Sequence, residues 1–514
     1  MPDDVPQQTP EKSANRGALI LMGGTLGSRI TGLVRNSLLT QLFPAGISDA
    51  FVTAFKVPNL FRELLAEGAL TNSFVPAFAR LGKDEGSKLS AALLGVLLLV
   101  NGLLLVAAWF LAPWIASLLI GDPTLVDVEL TVQLIRIVFP FLLTISLSAL
   151  AMGLLNASEE FMAPAWARVA LIVVTITLMA IFPGQAVMLA VAHVLGGLCQ
   201  LLVQVPALIR LNLLPRGIRL WHPALAGVLL LMVPFAVTSG GRQVLNLVAS
   251  NVITRIDAGA QTAFYNADLF LSLALGLFSI SPALAYYSRL SRLAADAPER
   301  VAGTLLDGLR LITFLTVPAG VALFLLAGPA VEVVFNWRSL MAGSVADPRL
   351  PLTILATAPL GFAVFPMGLN NLLIRTFYIR NEVRTPVVIT LITLALQGTL
   401  YVLLSQPFGI AGVAWAAAIA PVLQLVVLLV LVSRREKFGL GRLLNGAARV
   451  WLAAGLAGAA VWTGQQLLAV PAGWWWQLGW LLLALLVFGG LYLVLSLLLQ
   501  VPGLEALKDR LRRR

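Results

Sequence analysis

Fourteen stretches of this chain are each long and apolar enough to cross a bilayer, and together they fill most of its length. They fall at about 17–42, 49–79, 89–119, 130–156, 162–183, 186–210, 224–255, 261–290, 303–334, 350–379, 385–405, 410–433, 447–468 and 475–500. A helix needs roughly 20 residues to span the hydrocarbon layer. Hydrocarbon holds no water to satisfy backbone N–H and C=O groups, so runs of this kind must fold as helices. The expected architecture is an all-α polytopic membrane protein. Only 11% of the 514 residues are charged, and mean hydropathy is +0.91; soluble domains carry about 25% charge. Several spans contain proline, among them Pro58, Pro76, Pro140, Pro234, Pro282, Pro318 and Pro366, so tilted or kinked helices are expected.

The net charge of +11 does not point to nucleic acid, because Lys and Arg form no patch and recur in short loops between spans. With the N-terminus inside, the even-to-odd loops carry Lys83 and Lys88; Arg210, Arg216 and Arg219; Arg292 and Arg300; Arg380 and Arg384; and Arg434, Arg435, Lys437 and Arg442. The basic tail ends in Arg512, Arg513 and Arg514. The opposite loops, such as PGQA and SQPFG, have no Lys or Arg, apart from the one near Arg338 and Arg349. By the positive-inside rule both termini are expected in the cytoplasm. The loop at 156–162 stands out as acidic. Residues 1–16 are polar, expected to be disordered, and do not read as a removed signal peptide. A single cysteine, Cys199, excludes an internal disulfide, and His193 and His222 are too far apart in sequence to suggest a histidine metal cluster.

Two segments look alike. Residues 153–164 read GLLNASEEFMAP and 375–386 read RTFYIRNEVRTP. Each closes one apolar run, turns through polar residues and opens the next with a proline. DAFVTAF at 49–55 and TAFYNAD at 262–268 match more weakly. Spans 1–6 and 7–12 therefore read as two copies of a six-helix unit in pseudo-twofold repeat, with two C-terminal helices added. The expected divisions are 1–16, an N-lobe at 17–215, a C-lobe at 216–440, and 441–514.

The charges inside spans are the candidates for function. On the first helix, Thr25, Ser28, Arg29, Gly32, Arg35 and Asn36 fall on one face about 120° wide. Arg35 is near enough to the outer end to snorkel, whereas Arg29 is near mid-span. On the second, Asp49, Lys56, Asn59, Glu63 and Glu67 lie on one stripe, with Arg62 about 100° from its centre. Ionisable groups in a membrane interior are costly and mark pathways or pairs. For Lys56 and the acids, structural ion pairs explain the pattern as well as a ligand does. For Arg29 and Arg62 the planar, permanently charged fork favours an anionic, phosphate-bearing ligand. The second copy is less charged, with Arg242, Arg255, Asp257 and Asp268. Glu63, Glu67, Asp268 and Arg255 are candidates for gating or ion pairs.

SRITGLVRN, then SDAFVTAFKVPNLFRELLAEGALTNSFVPAFARL, resemble the first two helices of the MurJ (MviN) lipid II flippases, a family of the multidrug/oligosaccharidyl-lipid/polysaccharide exporter superfamily. The strongest motif is AFKVPNLFRELLAEGA, and the resemblance extends to the FYIRNEVRTP turn. It implies two six-helix lobes around a cationic cavity, with the last two helices forming a groove for a lipid tail. It also implies movement of undecaprenyl-diphosphate-linked disaccharide-pentapeptide from the inner to the outer leaflet of the bacterial cytoplasmic membrane, for peptidoglycan synthesis. The family's essential cavity arginines would fall on Arg29, Arg35 and Arg62, and an important acid on Asp49. Ser28, Lys56 and Asn59 complete the candidate substrate-binding set. Two positions depart from the pattern: Leu269 stands where relatives have an arginine in helix 8, and Asn36 where an acid is usual.

The expected mechanism is alternating access, with the arginines binding the diphosphate and the polyprenyl tail remaining in lipid. No cofactor or metal is expected. The membrane potential could assist, whereas residues 386–433 contain no Asp or Glu to suggest sodium coupling. Lipid II and membrane lipids are the expected partners, with the cell-wall synthesis machinery as a further one, and the chain is expected to be a monomer. Competing readings are an exporter of another lipid-linked glycan or of a drug, a membrane enzyme acting on polyprenyl phosphates, and a non-transporting cell-wall scaffold. The arginines argue against a drug exporter, which would favour an acidic or aromatic cavity. The enzyme would need clustered acids or a histidine base in a cytoplasmic loop, and none is seen.

Overall fold

The computed structural model describes residues 27, 31–65, 69–342, 346–380, 382–468 and 473–503. Every regular element among them is helical. The chain divides into two compact units, Met1–Leu247 and Val248–Arg514. The first begins with α1 (31–42), α2 (Ala45–Leu65) and α3 (Ala69–Leu119). It continues with α4 (Val128–Val138), α5 (Pro140–Ala157), α6 (Met162–Ile181), α7 (Ala186–Leu202), α8 (Val205–Arg210) and most of α9 (Leu225–Ile253). The second begins with α10 (Ala260–Leu275), a π-helical turn (Gly276–Ile280), α11 (Ser281–Asp296), α12 (Val301–Leu325), α13 (Ala327–Phe335) and α14 (Trp337–Ala342). It ends with α15 (Arg349–Ile379), α16 (Arg384–Glu436), α17 (Leu440–Leu467) and α18 (Trp474–Leu498).

Ten helical segments among the described residues are long and apolar enough to span a membrane, from Asp84–Leu119 to Trp474–Leu498. The expected fourteen are not all separate members of that set. The first expected span is described only at residue 27 and over 31–42. Helix α2 holds Asp49, Lys56, Arg62 and Glu63, too many charges to qualify, and α9 is helical but falls outside the ten. Helix α16 counts once although two expected spans meet inside it, at Gly409. That residue has φ 54° and ψ −135°, a left-handed conformation that glycine adopts without a Cβ penalty. Three residues on, a Cβ at Gly412 would stand 1.9 Å from the Leu404 carbonyl oxygen, so this sharp bend needs glycine twice.

In the first unit, Phe74, Leu89 and Leu93 of α3 pack against Leu154 and Leu155 of α5 and Leu208 of α8. Lipid tails are as apolar as leucine, so membrane helices associate through close packing and interhelical hydrogen bonds. Both devices are present. A Cβ at Gly196 of α7 would meet the Leu171 carbonyl oxygen of α6 at 2.8 Å, and one at Gly197 would meet Thr144 Oγ1 of α5 at 2.4 Å. Gln204 donates to Ser148 Oγ at 2.6 Å, and Ser146 donates to Asn101 Oδ1 at 3.3 Å. In the second unit, α12 and α15 cross at Gly320 and Gly361, where a Cβ on either would lie 2.4–2.6 Å from the other's carbonyl oxygen. Tyr492 of α18 donates to the Phe314 carbonyl at 2.8 Å, tying the C-terminal helices to α12.

The acidic 156–162 loop finds its reason in the first unit. Glu160 accepts from Arg210 Nη2 at 2.8 Å, so it neutralises a cation from a loop expected on the same face. In the second unit Arg380 pairs with Glu436 at 2.6 Å, and Arg435 pairs with Glu382.

Candidate functional site

Helix α2 carries most of the candidate residues that can be described, and its sequence divides it in two. Phe51, Phe55, Asn59 and Glu63 recur every four residues, which puts them along one ridge. The aromatic half seats the helix. Phe51 and Phe55 lie 4.6 and 5.2 Å, centroid to centroid, from the buried His193 ring of α7, and Phe55 lies 5.3 Å from Phe141 of α5. His193 is fixed in turn by a 2.9 Å hydrogen bond between Nδ1 and the Leu189 carbonyl, one turn back in its own helix. It is a packing residue of α7, in keeping with its isolation in the sequence.

The polar half presents a network. Arg62 Nε donates to Asn59 Oδ1 at 2.9 Å. Asn59 Nδ2 donates to Glu63 Oε1 at 3.2 Å. Arg62 Nη2 lies 3.9 Å from the same Glu63 oxygen, within ion-pair range but beyond a hydrogen bond. The other Glu63 oxygen accepts from Gln243 Nε2 of α9, and Asn246 Nδ2 donates to Gln243 Oε1 at 3.3 Å. Arg62 and Glu63 keep 23% and 33% of their side-chain surface, enough to meet a ligand while sitting inside a helical unit. Although Arg62 stands off the stripe, its length brings the guanidinium back to Asn59, one turn earlier.

The other candidates are distributed as follows. Arg35 is half-buried on α1, and its Nε and Nη2 donate to Oδ1 of the buried Asn36 at 3.3 and 3.1 Å. Asn36, where an acid was usual in the resemblance, thus serves as a neutral acceptor for that arginine. Asp49 is fully buried near the start of α2, and Lys56 is half-buried. Ser28, Arg29 and Glu67 lie outside the described residues. In the second unit Arg255 is exposed and binds Asn251 Oδ1 at 2.9 Å through Nη2, within one helical turn. Asp268 is exposed on α10, and Leu269 beside it is half-buried. Gln243 and Asn246 were not singled out from the sequence, although GGRQVLN is a polar patch within an apolar span. Among the described residues no group of three or more His, Cys, Asp or Glu side chains could hold a metal ion.

A charged polar network on the second helix of a two-unit helical membrane protein invites comparison with known transporters. The family model for the lipid II flippase MurJ matches residues 39–481. The chain belongs to the MurJ family. It is 32% identical to the lipid II flippase MurJ of Burkholderia cenocepacia over 404 residues, 73% of this chain and 75% of that protein. It is 33% identical to a MurJ relative from Rhizobium tropici, covering 80% of each. A solved structure of lipid II flippase MurJ in an inward closed conformation superposes with a TM-score of 0.77, covering 93% of this chain and 98% of that one at 20% identity. An inward-facing MATE family transporter of the MOP superfamily gives 0.65 at 17% identity, covering 80% and 96%. These two likenesses speak to the fold, which the MurJ family shares with MATE transporters. The family match begins at residue 39, so Asp49, Lys56, Asn59, Arg62 and Glu63 fall inside it, and Arg29 and Arg35 precede it.

Proposed function

We propose that this chain is a lipid II flippase: a transporter, not an enzyme, that carries undecaprenyl-diphosphate-linked peptidoglycan precursor from the inner to the outer leaflet of the bacterial cytoplasmic membrane. Membership of the MurJ family over residues 39–481 carries this reading. The α2 network supports it chemically. A diphosphate is planar-fork chemistry for arginine, bound by paired charge-assisted hydrogen bonds. Arg62 and Arg35 are the described cations offered for it, with Arg29 and Ser28 assigned from the sequence. Asn59 accepts from the Arg62 guanidinium and Asn36 from that of Arg35. Asp49 and Lys56 complete the set, and Glu63 and Glu67 balance its charge.

Transport follows by alternating access, with both termini cytoplasmic and the lipid tail remaining in the membrane. The ligand must bind the two access states differently, since equal binding shifts no equilibrium. The chain acts as a monomer alongside the cell-wall synthesis machinery, with no cofactor. The test is complementation: cells depleted of their own flippase receive this chain with Arg62→Ala or Arg35→Ala, and outer-leaflet lipid II is measured. Wild-type chain should restore translocation and the variants should not. Full activity in both variants would sink the assignment of the binding residues, and failure of the wild-type chain to translocate lipid II would sink the function.

A further inference from the structure

We propose that Arg136 and Glu129 of α4 form a phospholipid site on the lipid-facing side of the first unit, taking the phosphate and the amine of an ethanolamine headgroup. Helix α4 starts after Asp127, whose side chain caps it by accepting from the Leu130 N–H at 2.9 Å. Arg136 lies roughly 13 Å further along the axis, inside a segment apolar enough to span a membrane. An arginine at such a depth is costly and normally turns into the bundle or pairs with an acid. Arg136 has no acid in ion-pair range among the described residues. Its guanidinium lies 5.2 Å from the centroid of the Trp109 ring of α3, and Trp109 is exposed, as are Val106, Phe110 and Trp114 around it. That row has the composition of a surface bathed in acyl chains.

One N–H of Arg136 has a structural duty. Pro113 has no N–H to give the Trp109 carbonyl four residues back in α3, and Arg136 Nε donates to that oxygen instead, at 3.1 Å. A neutral donor would serve there equally, so the charge calls for a second reason. The Nη protons have no acceptor among the described residues. The acceptor of matching charge that a lipid-facing arginine can reach is a lipid phosphate, which a guanidinium binds as a fork. Helical side chains lean toward the N-terminus of their helix, which here is the end nearer the interface. Glu129, Gln133 and Arg136 follow spacings of four and three, so they share one face of α4, and Glu129 and Gln133 are exposed. A polar stripe therefore runs from the interface to the arginine across a lipid-facing surface. Its cation lies deep and its carboxylate shallow, the complement of an ethanolamine headgroup, whose phosphate lies deeper than its amine. An anionic headgroup would meet repulsion from Glu129, and a quaternary amine has no N–H to give it. The leaflet is the one at the Asp127 end of α4, the outer one in the orientation proposed above, and the site stands independently of lipid II transport.

The test uses full-length protein in phosphatidylcholine nanodiscs carrying a trace of photoactivatable phospholipid, with the labelled peptides mapped by mass spectrometry. A phosphatidylethanolamine probe should label α3 and α4 around Trp109 and Gln133 more strongly than phosphatidylglycerol or phosphatidylcholine probes. Arg136→Gln should lower that labelling about tenfold, the size expected for one hydrogen bond to a charged group. This variant also strips the Trp109 carbonyl of its donor, so it is repeated with Pro113→Ala, which returns a backbone N–H to that carbonyl. Pro113→Ala alone should label like wild type, and the double variant should label as weakly as Arg136→Gln. Glu129→Gln should abolish the preference for ethanolamine over glycerol. Equal labelling of the wild-type protein by all three probes, wild-type labelling of the double variant, or an ethanolamine preference that survives Glu129→Gln would overturn the proposal.

Discussion

Arg62 keeps a permanent charge in a half-buried cluster, where its Nε donates to the neutral Asn59. Its removal should cost the ligand one or two charge-assisted hydrogen bonds, each about 1.5–3 kcal/mol. Arg62→Ala is therefore expected to weaken undecaprenyl diphosphate binding by at least about tenfold, as read by titration in nanodiscs. Arg62→Lys should recover only part of it, because a lysine keeps the charge but not the fork. Much of this cluster was legible in the sequence: four-residue spacing puts Asn59 and Glu63 on one ridge, and charges inside a membrane span are conspicuous. Gln243 was not legible. Its contact with Glu63 joins positions 180 residues apart, and a lone amide in an apolar span looks the same whether it meets a carboxylate or a backbone carbonyl.

At the scale of the elements, helix existence followed from hydropathy and helix joints did not. The spans 385–405 and 410–433 read as separate runs with a loop between, yet the chain turns at the single residue Gly409. Periodicity also says nothing about which glycines are contact points. The Gly320–Gly361 crossing brings two backbones together, and no side chain fits there. Gly361→Leu would drive carbon atoms into the Gly320 carbonyl and the Phe324 backbone. Overpacking of this sort costs about 1–3 kcal/mol or more, so the melting temperature in detergent should fall. Gly328→Ala, at a helical position with open space around it, serves as the control and should leave melting nearly unchanged.

For the molecule as a whole, two predictions concern charge. Glu382, between α15 and α16, is held below the usual carboxylate range by its hydrogen bonds to Arg435 and Thr385. A depressed value in the folded state contributes stability above the unfolded value, about 4.3, and that contribution is lost as pH falls through the folded one. The melting-temperature gap between wild type and Glu382→Gln should therefore be present at neutral pH and close on acidification. The second prediction concerns transport. A membrane potential negative inside favours outward movement of an anion by about 2.3 kcal/mol per charge per 100 mV, so collapsing it with an ionophore in vesicles should slow translocation of lipid II. A last consequence reaches from α2 to the gene that encodes it. One ridge both seats this helix and presents its polar network, so a residue inserted between Phe55 and Asn59 would rotate Asn59, Arg62 and Glu63 by about 100° relative to the aromatic half. Substitutions can accumulate over such a helix one at a time, whereas a single codon gained or lost there moves the polar residues together.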